Sequence, residues 1–146
     1  MPTFARLVAA VLLAVLGFGV SFLTFPYFDE GVPVSGIPVV AAIMGVIVGW
    51  TFTGARFQRQ SGNAVAIGIT SVVVQTLLTL FAFAIKRMVD RAFRNAYDTV
   101  MESIVGVFDV ALEYIQIIAQ PDVVLAALVG GAIVGAITNW VAVRTR

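Results

Sequence analysis

Four apolar runs, each close to the length of a membrane span, constrain this chain more than any other feature. They cover about residues 7–27, 36–54, 64–85 and 121–143, the first reading LVAAVLLAVLGFGVSFLTF from Leu7 to Phe25. A spanning helix needs about 20 predominantly apolar residues. Only 12% of the side chains are charged, against about a quarter in an ordinary soluble domain. In hydrocarbon a lone segment can satisfy its backbone groups only as a helix. The expected fold is therefore all-α: a polytopic membrane helix bundle of four transmembrane helices in one integral membrane domain, residues 1–146. An amphipathic helical segment is expected between the third and fourth.

Local punctuation agrees with these spans. Pro38 and Pro121 stand where a helix begins, and a missing N–H costs little there. The first run is longer than a signal-peptide core and no A-x-A site follows it, so it reads as a retained span. Orientation follows Lys/Arg bias in short loops. Arg6, Arg56, Arg59, Arg144 and Arg146 fall on one side, and Lys86, Arg87, Arg91 and Arg94 on the other. Five against four places both termini in the cytoplasm.

The stretch KRMVDRAFRNAYDTVMES at residues 86–103 holds seven charged side chains. Within it, Thr99–Val100–Met101–Glu102 is a T-x-x-E capping box, marking a helix start. Beyond it Val100, Met101, Ile104, Val105, Phe108, Ala111, Leu112 and Ile115 share one face. Asp98, Glu102, Asp109, Glu113 and Gln116 share the other. Residues 86–119 thus read as two amphipathic helices joined near Asn95–Thr99, lying in the interface or over the outer end of the bundle.

Two spans carry G-x-x-x-G, at Gly45–Gly49 and Gly131–Gly135, each extended by a small residue, Ala41 or Ala127. Small residues let helix backbones approach closely in lipid. These six positions are expected to pack helices within the chain, or to meet another copy or subunit. Both spans run in the same direction, as a parallel pair requires, and end in comparable residues, Trp50 with Arg56 and Trp140 with Arg144. The third span carries a polar stripe, Ser71, Gln75 and Thr79, flanked by Thr70 and Thr76. Interhelical hydrogen bonding is the expected role; lining a polar path is the alternative. Phe18, Phe22 and Phe25 form an aromatic stripe for lipid or a neighbouring helix.

Several functions are excluded or disfavoured. With no cysteine and no histidine, thiolate chemistry, Cys/His metal sites and histidine acid–base catalysis are unavailable. No nucleotide, phosphate-cradle or nucleophile-elbow motif occurs. The carboxylate pairs Asp98/Glu102 and Asp109/Glu113 read as a solvated helix face rather than a cation site. No span has an ionisable residue near its centre, unlike ion-coupled carriers. A net charge of +1 gives no reason to expect a nucleic-acid partner. The expectation is a non-enzyme without cofactor or metal. Arg56, Arg59, Arg87, Arg91 and Arg94 are candidates for contact with lipid phosphate or an oxyanion.

The opening MPTFARLVAAVLLAVLGF, the span–basic loop–span centre, the stretch ending ALEYIQIIAQPDVVLAALVGG and the closing NWVAVRTR resemble the TrgA-type membrane proteins. That family is linked with tellurite resistance in photosynthetic and marine alphaproteobacteria, and the resemblance covers essentially the whole chain. It implies a bacterial inner-membrane protein contributing to tellurite or envelope stress resistance. Two other readings stand beside it. One is an accessory subunit of a larger respiratory or photosynthetic membrane complex, docked through its small-residue faces or the 86–119 segment. The other is an oligomeric pore or oxyanion carrier. The partners expected are the lipid bilayer and either this chain itself or such a complex.

Overall fold

The computed structural model describes residues 2–28, 36–59, 63–94 and 98–145. Among these there is no strand. Helix α1 spans Pro2–Thr24 and tightens into a 3₁₀ turn, Phe25–Tyr27. Helix α2, Ile37–Val48, passes through a π-helical turn at Gly49–Thr53 into α3, Gly54–Gln58. Helices α4 (Ala64–Phe93), α5 (Val100–Ile118) and α6 (Pro121–Arg144) follow. Four stretches are long and apolar enough to cross a membrane: Phe4–Tyr27, Ile37–Phe57, Ala64–Phe93 and Pro121–Arg144.

Caps set several of these boundaries. The Asn63 side chain accepts from Val65 N at 3.1 Å, starting α4. Thr99 accepts from Glu102 N at 3.2 Å, starting α5. Glu102 Oε2 reaches back to accept from Asp98 N at 3.0 Å, one residue beyond the Thr99 N–H that a capping box ordinarily pairs. Pro38 and Pro121 lie in the first turns of α2 and α6.

The four long helices form a ring in which neighbours touch in the order α1, α2, α4, α6 and back to α1. Ala5, Phe57, Ile67 and Ala142 pack together at one end, so the start of α1, the end of α3, the start of α4 and the end of α6 lie there. Leu13, Val48, Val72 and Val134 form the middle layer. At the opposite end Ile37, Leu80, Phe83, Ala84, Val110 and Tyr114 form a third cluster that includes α5.

This arrangement differs from the sequence expectation in three respects. The third span and the basic half of the 86–119 segment are one 30-residue helix, about 45 Å long at 1.5 Å per residue. Its one glycine, Gly68, lies near its start and no Gly or Pro stands near Lys86, so nothing ends the helix where the apolar run stops. Secondly, α2 and α6 sit diagonally in the ring and do not form a parallel pair. Thirdly, the side of α5 set against α4 carries Gly106, Val110 and Tyr114, not the expected apolar face. That face, with Val100, Met101, Phe108 and Leu112, stays exposed. The turn containing Asp29 and Glu30, much of the Asn95–Thr99 joint, and Arg146 lie outside the described residues.

Candidate functional site

The two G-x-x-x-G ridges pack within the chain, each against a different helix. A Cβ on Gly45 would lie 2.7 Å from the backbone of Leu13 and Ala14, and one on Gly49 would strike Ala9 and Ala10. That ridge is pressed on α1. A Cβ on Gly131 would lie 3.0 Å from Gly68 O, and one on Gly135 would meet Ala64 O and, at 3.1 Å, Gly68 Cα. The second ridge is pressed on α4, antiparallel, because rising numbers on α6 meet falling numbers on α4. Ala41 is buried, and Ala127 is half-buried on the wall of a crevice. The sequence reading missed the complementary surfaces, Ala64-x-x-x-Gly68 on α4 and Ala10-x-x-x-Ala14 on α1. Both repeat the small-residue spacing that signals close approach.

The polar stripe of α4 divides by partner. Thr53 Oγ1, on the π turn, donates to Ser71 Oγ at 2.7 Å, and Ser71 Oγ donates to Ile67 O at 2.7 Å. Gln75 reaches furthest. Its Nε2 donates to Leu13 O on α1 and to Ala41 O on α2, both at 3.0 Å. One amide therefore ties three helices. Two carbonyl acceptors on the same atom also fix which end of the amide is nitrogen. Gly17 makes room for it, since a Cβ there would strike Nε2. Thr79 donates only to Gln75 O in its own helix, at 2.8 Å. Thr70 and Thr76 likewise bond Ala66 O and Val72 O.

Gln75 retains one unused atom. Its side chain is 4% exposed, and no donor among the described residues reaches Oε1. It lines a crevice of about 250 Å³ between α1, α4 and α6. Leu16, Val72 and Ala127 belong to the apolar wall, while Phe28, Tyr114 and Ile118 close the end toward α5. Val73, Leu77, Val124 and Leu128, also on the wall, are exposed on the outer surface of the bundle. The crevice thus opens between α4 and α6, where the tight glycine contact of their other halves has ended.

The α5 end is held by aromatic packing. Tyr114 meets the rings of Phe28 and Phe83, each with centroids 5.4 Å apart, and accepts from Arg87 Nη1 at 3.1 Å. Burial raises the Tyr114 pKa, and the Arg87 bond offsets only part of that. Tyr27 Oη donates to Asp122 Oδ2 at 2.6 Å, joining the end of α1 to the start of α6.

The five candidate arginines do not converge. Arg56 and Arg59 lie at the end bearing the chain termini, whereas Arg87, Arg91 and Arg94 ride the far extension of α4. Arg56 stacks over Phe52 at 4.4 Å, and Arg144 over Trp140 at 4.3 Å. Among the described residues the terminal end holds no acidic side chain, and Asp90, Asp98, Glu102, Asp109, Glu113 and Asp122 all lie toward the other. No group of three potential metal-ligating side chains occurs among the described residues. Phe18, Phe22 and Phe25 stack along α1 at 5.1 Å spacings, with Phe18 and Phe22 facing outward. Compared with family models, with curated proteins and with solved structures, the chain matches none.

Proposed function

We propose that this protein is a non-enzymatic, four-span subunit that supports a second membrane protein through the hairpin of α4 and α5. The supporting observation is the exposed apolar surface at the tip of that hairpin. Phe93 is 84% exposed and Val100 79%, with Met101 and Phe108 continuing the patch. Gln75 lies midway along the apolar part of α4, so it sits near the middle of the bilayer. Phe93 is five turns further on, about 27 Å along the helix. The hydrocarbon extends only about 15 Å from its midplane, and even a 40° tilt leaves the tip at about 20 Å. Lipid tails do not cover such a patch, and exposed apolar patches mark protein contacts.

On this reading, the bacterial inner membrane is the location and both termini are cytoplasmic, in keeping with the all-basic terminal end. Tellurite or envelope stress resistance, implied by the family resemblance, is then a property of the assembly. The chain has no thiol with which to reduce an oxyanion. The polar stripe offers an anion no spare donor, because its amide N–H groups and hydroxyls are already bonded.

A photo-cross-linking residue placed at Met101 or Phe108, in native membranes, tests the proposal. A discrete heavier adduct is expected from both positions and none from lipid-facing Val129. A small homogeneous particle on native gels, with no adduct, would sink it. Deleting the gene and measuring tellurite tolerance tests the resistance role separately.

A further inference from the structure

Helix α5 is apolar on two opposite sides. Gly106, Val110 and Tyr114 are buried on one. Met101, Val105, Phe108, Leu112 and Ile115 line the other, each at least 45% exposed. A helix at a protein surface carries one apolar stripe, whereas one that is apolar on both sides is covered on both. The exposed five recur at intervals of 4, 3, 4 and 3 residues, the spacing of a seam along which one helix packs on another. At 1.5 Å per residue the seam is about 21 Å long. Its two edges differ. Glu102, Asp109 and Gln116 stand along one, all exposed, and Ile104, Ala111 and Ile118 stand along the other.

We infer that this seam binds one amphipathic helix of the second membrane protein, a helix with apolar residues at the same spacing and Lys or Arg along the edge that meets Glu102 and Asp109. The inference rests on the reading that the hairpin holds a protein partner, and it names that partner's chemistry. A lipid surface is the wrong occupant. Helices that lie on membranes carry Lys and Arg beside their apolar stripe, but α5 has neither, and its only charged side chains are carboxylates. A second copy fits no better. Its α5 would set carboxylates against carboxylates, or against the apolar edge with no counter-charge. Its α4 is basic beyond Lys86, but among the described residues there only Val89 and Phe93 are exposed large apolar side chains. Two such residues do not cover a seam of five. In a foreign helix with one basic edge, the apolar seam supplies the affinity and the charged edge the choice of partner.

The test uses the full chain in native membranes, with a photo-cross-linking residue at Phe108 and the captured peptide mapped by mass spectrometry. The expected capture is a segment of another membrane protein in which Lys or Arg borders a 4-3 apolar repeat. Glu102→Lys with Asp109→Lys should lower the adduct yield about tenfold, and Asp109→Lys alone about threefold. The single variant keeps the Glu102 bond to Asp98 N, so it decides the matter even where the double variant loosens the start of α5. Asp90→Lys, the same change of charge on the exposed surface of α4, should leave the yield unchanged. Replacing the mapped Lys or Arg of the captured segment by Glu should restore the adduct to the Asp109→Lys protein. Capture of lipid, of a second copy, or of a segment without a basic edge would overturn the inference. So would a yield indifferent to Asp109→Lys; an adduct then remains, so the hairpin still holds a partner but not one of this chemistry. Absence of any adduct would remove both readings.

Discussion

The two halves of the α4–α6 pair are built on opposite principles. Toward the chain termini, Ala64, Gly68, Gly131 and Gly135 bring two backbones into contact. Toward the hairpin, larger apolar residues hold the same helices apart around a crevice, and a single amide ties α4 instead to α1 and α2. In lipid there is little hydrophobic drive between helices, so close approach and interhelical hydrogen bonds supply the association energy. The glycine half uses the first and the Gln75 half uses the second. The glycine half is accordingly rigid and saturated, while the other keeps space and an unpaired acceptor.

The largest effect should come from breaking the rigid half. At Gly68 a Cβ would strike Gly131 O and approach Gly135 Cα to 2.9 Å, and neither backbone can give way independently. Gly68→Val should cost about 3 kcal/mol or prevent assembly of the bundle. Unfolding in mixed micelles, followed by helical circular dichroism, measures this. Gly130→Ala, on the facing helix α6, is its control: the new Cβ meets the flexible end of Leu16, and the loss should stay below about 1 kcal/mol. Equal losses at the two positions would show that the backbone contact is not what holds α6 to α4.

The amide half should answer more weakly and as a coupled pair. Gln75→Leu removes the bonds to Leu13 O and Ala41 O, at a cost of about 1–2 kcal/mol. Gly17→Ala should cost a similar amount, because its Cβ displaces Nε2 and lies 3.0 Å from Ala41 O. Once the amide is gone, most of the Gly17 penalty has no cause. The double variant should therefore fall short of the sum by about 0.5 kcal/mol or more. Additive losses would mean that Gly17 serves helix contact alone.

The contrast between the halves also explains what could be read from residues alone. Apolar run length gave the spans, and Thr99 with Glu102 gave the start of α5. A small-residue ridge, however, marks a face without naming what meets it. Gly45–Gly49 and Gly131–Gly135 look equivalent, yet one meets α1 and the other α4. Ala64 and Gly68 carried the missing half of the second contact at the same spacing. The crevice had no local signature, since Leu16, Leu77 and Leu128 become its walls only once the helices splay. The extent of α4 was legible in principle: no Gly or Pro stands between Gly68 and Gly106, so charge alone does not end the helix at Lys86. The orientation of α5 was hidden because it is apolar on two sides, and periodicity does not say which packs.

A further substitution asks whether the hairpin is energetically separate from both halves. Thr99→Ala removes the acceptor for Glu102 N and should cost about 1 kcal/mol. The loss should be confined to α5: amides near Val100–Ser103 should exchange faster, while those around Gly68 and Gln75 keep their protection. Slowed or unchanged exchange at the start of α5 would remove the cap from the account. Faster exchange spreading to α4 at Val72 would make hairpin and bundle one cooperative unit.

The smallest effect should carry the opposite sign. Gly19 lies two residues from Gly17 on α1, yet a Cβ there meets nothing within 4 Å. With no neighbour to displace, only helix propensity changes, and Ala is the better helix former by up to about 1 kcal/mol. Gly19→Ala should therefore stabilise the bundle by about 0.5 kcal/mol in the micelle titration, where Gly17→Ala destabilises it. Two identical substitutions on one helix, two residues apart, would then differ in sign because only one of them faces Gln75. A loss at both would mean that α1 needs flexible backbone there, and the role assigned to Gly17 in seating the amide would not stand.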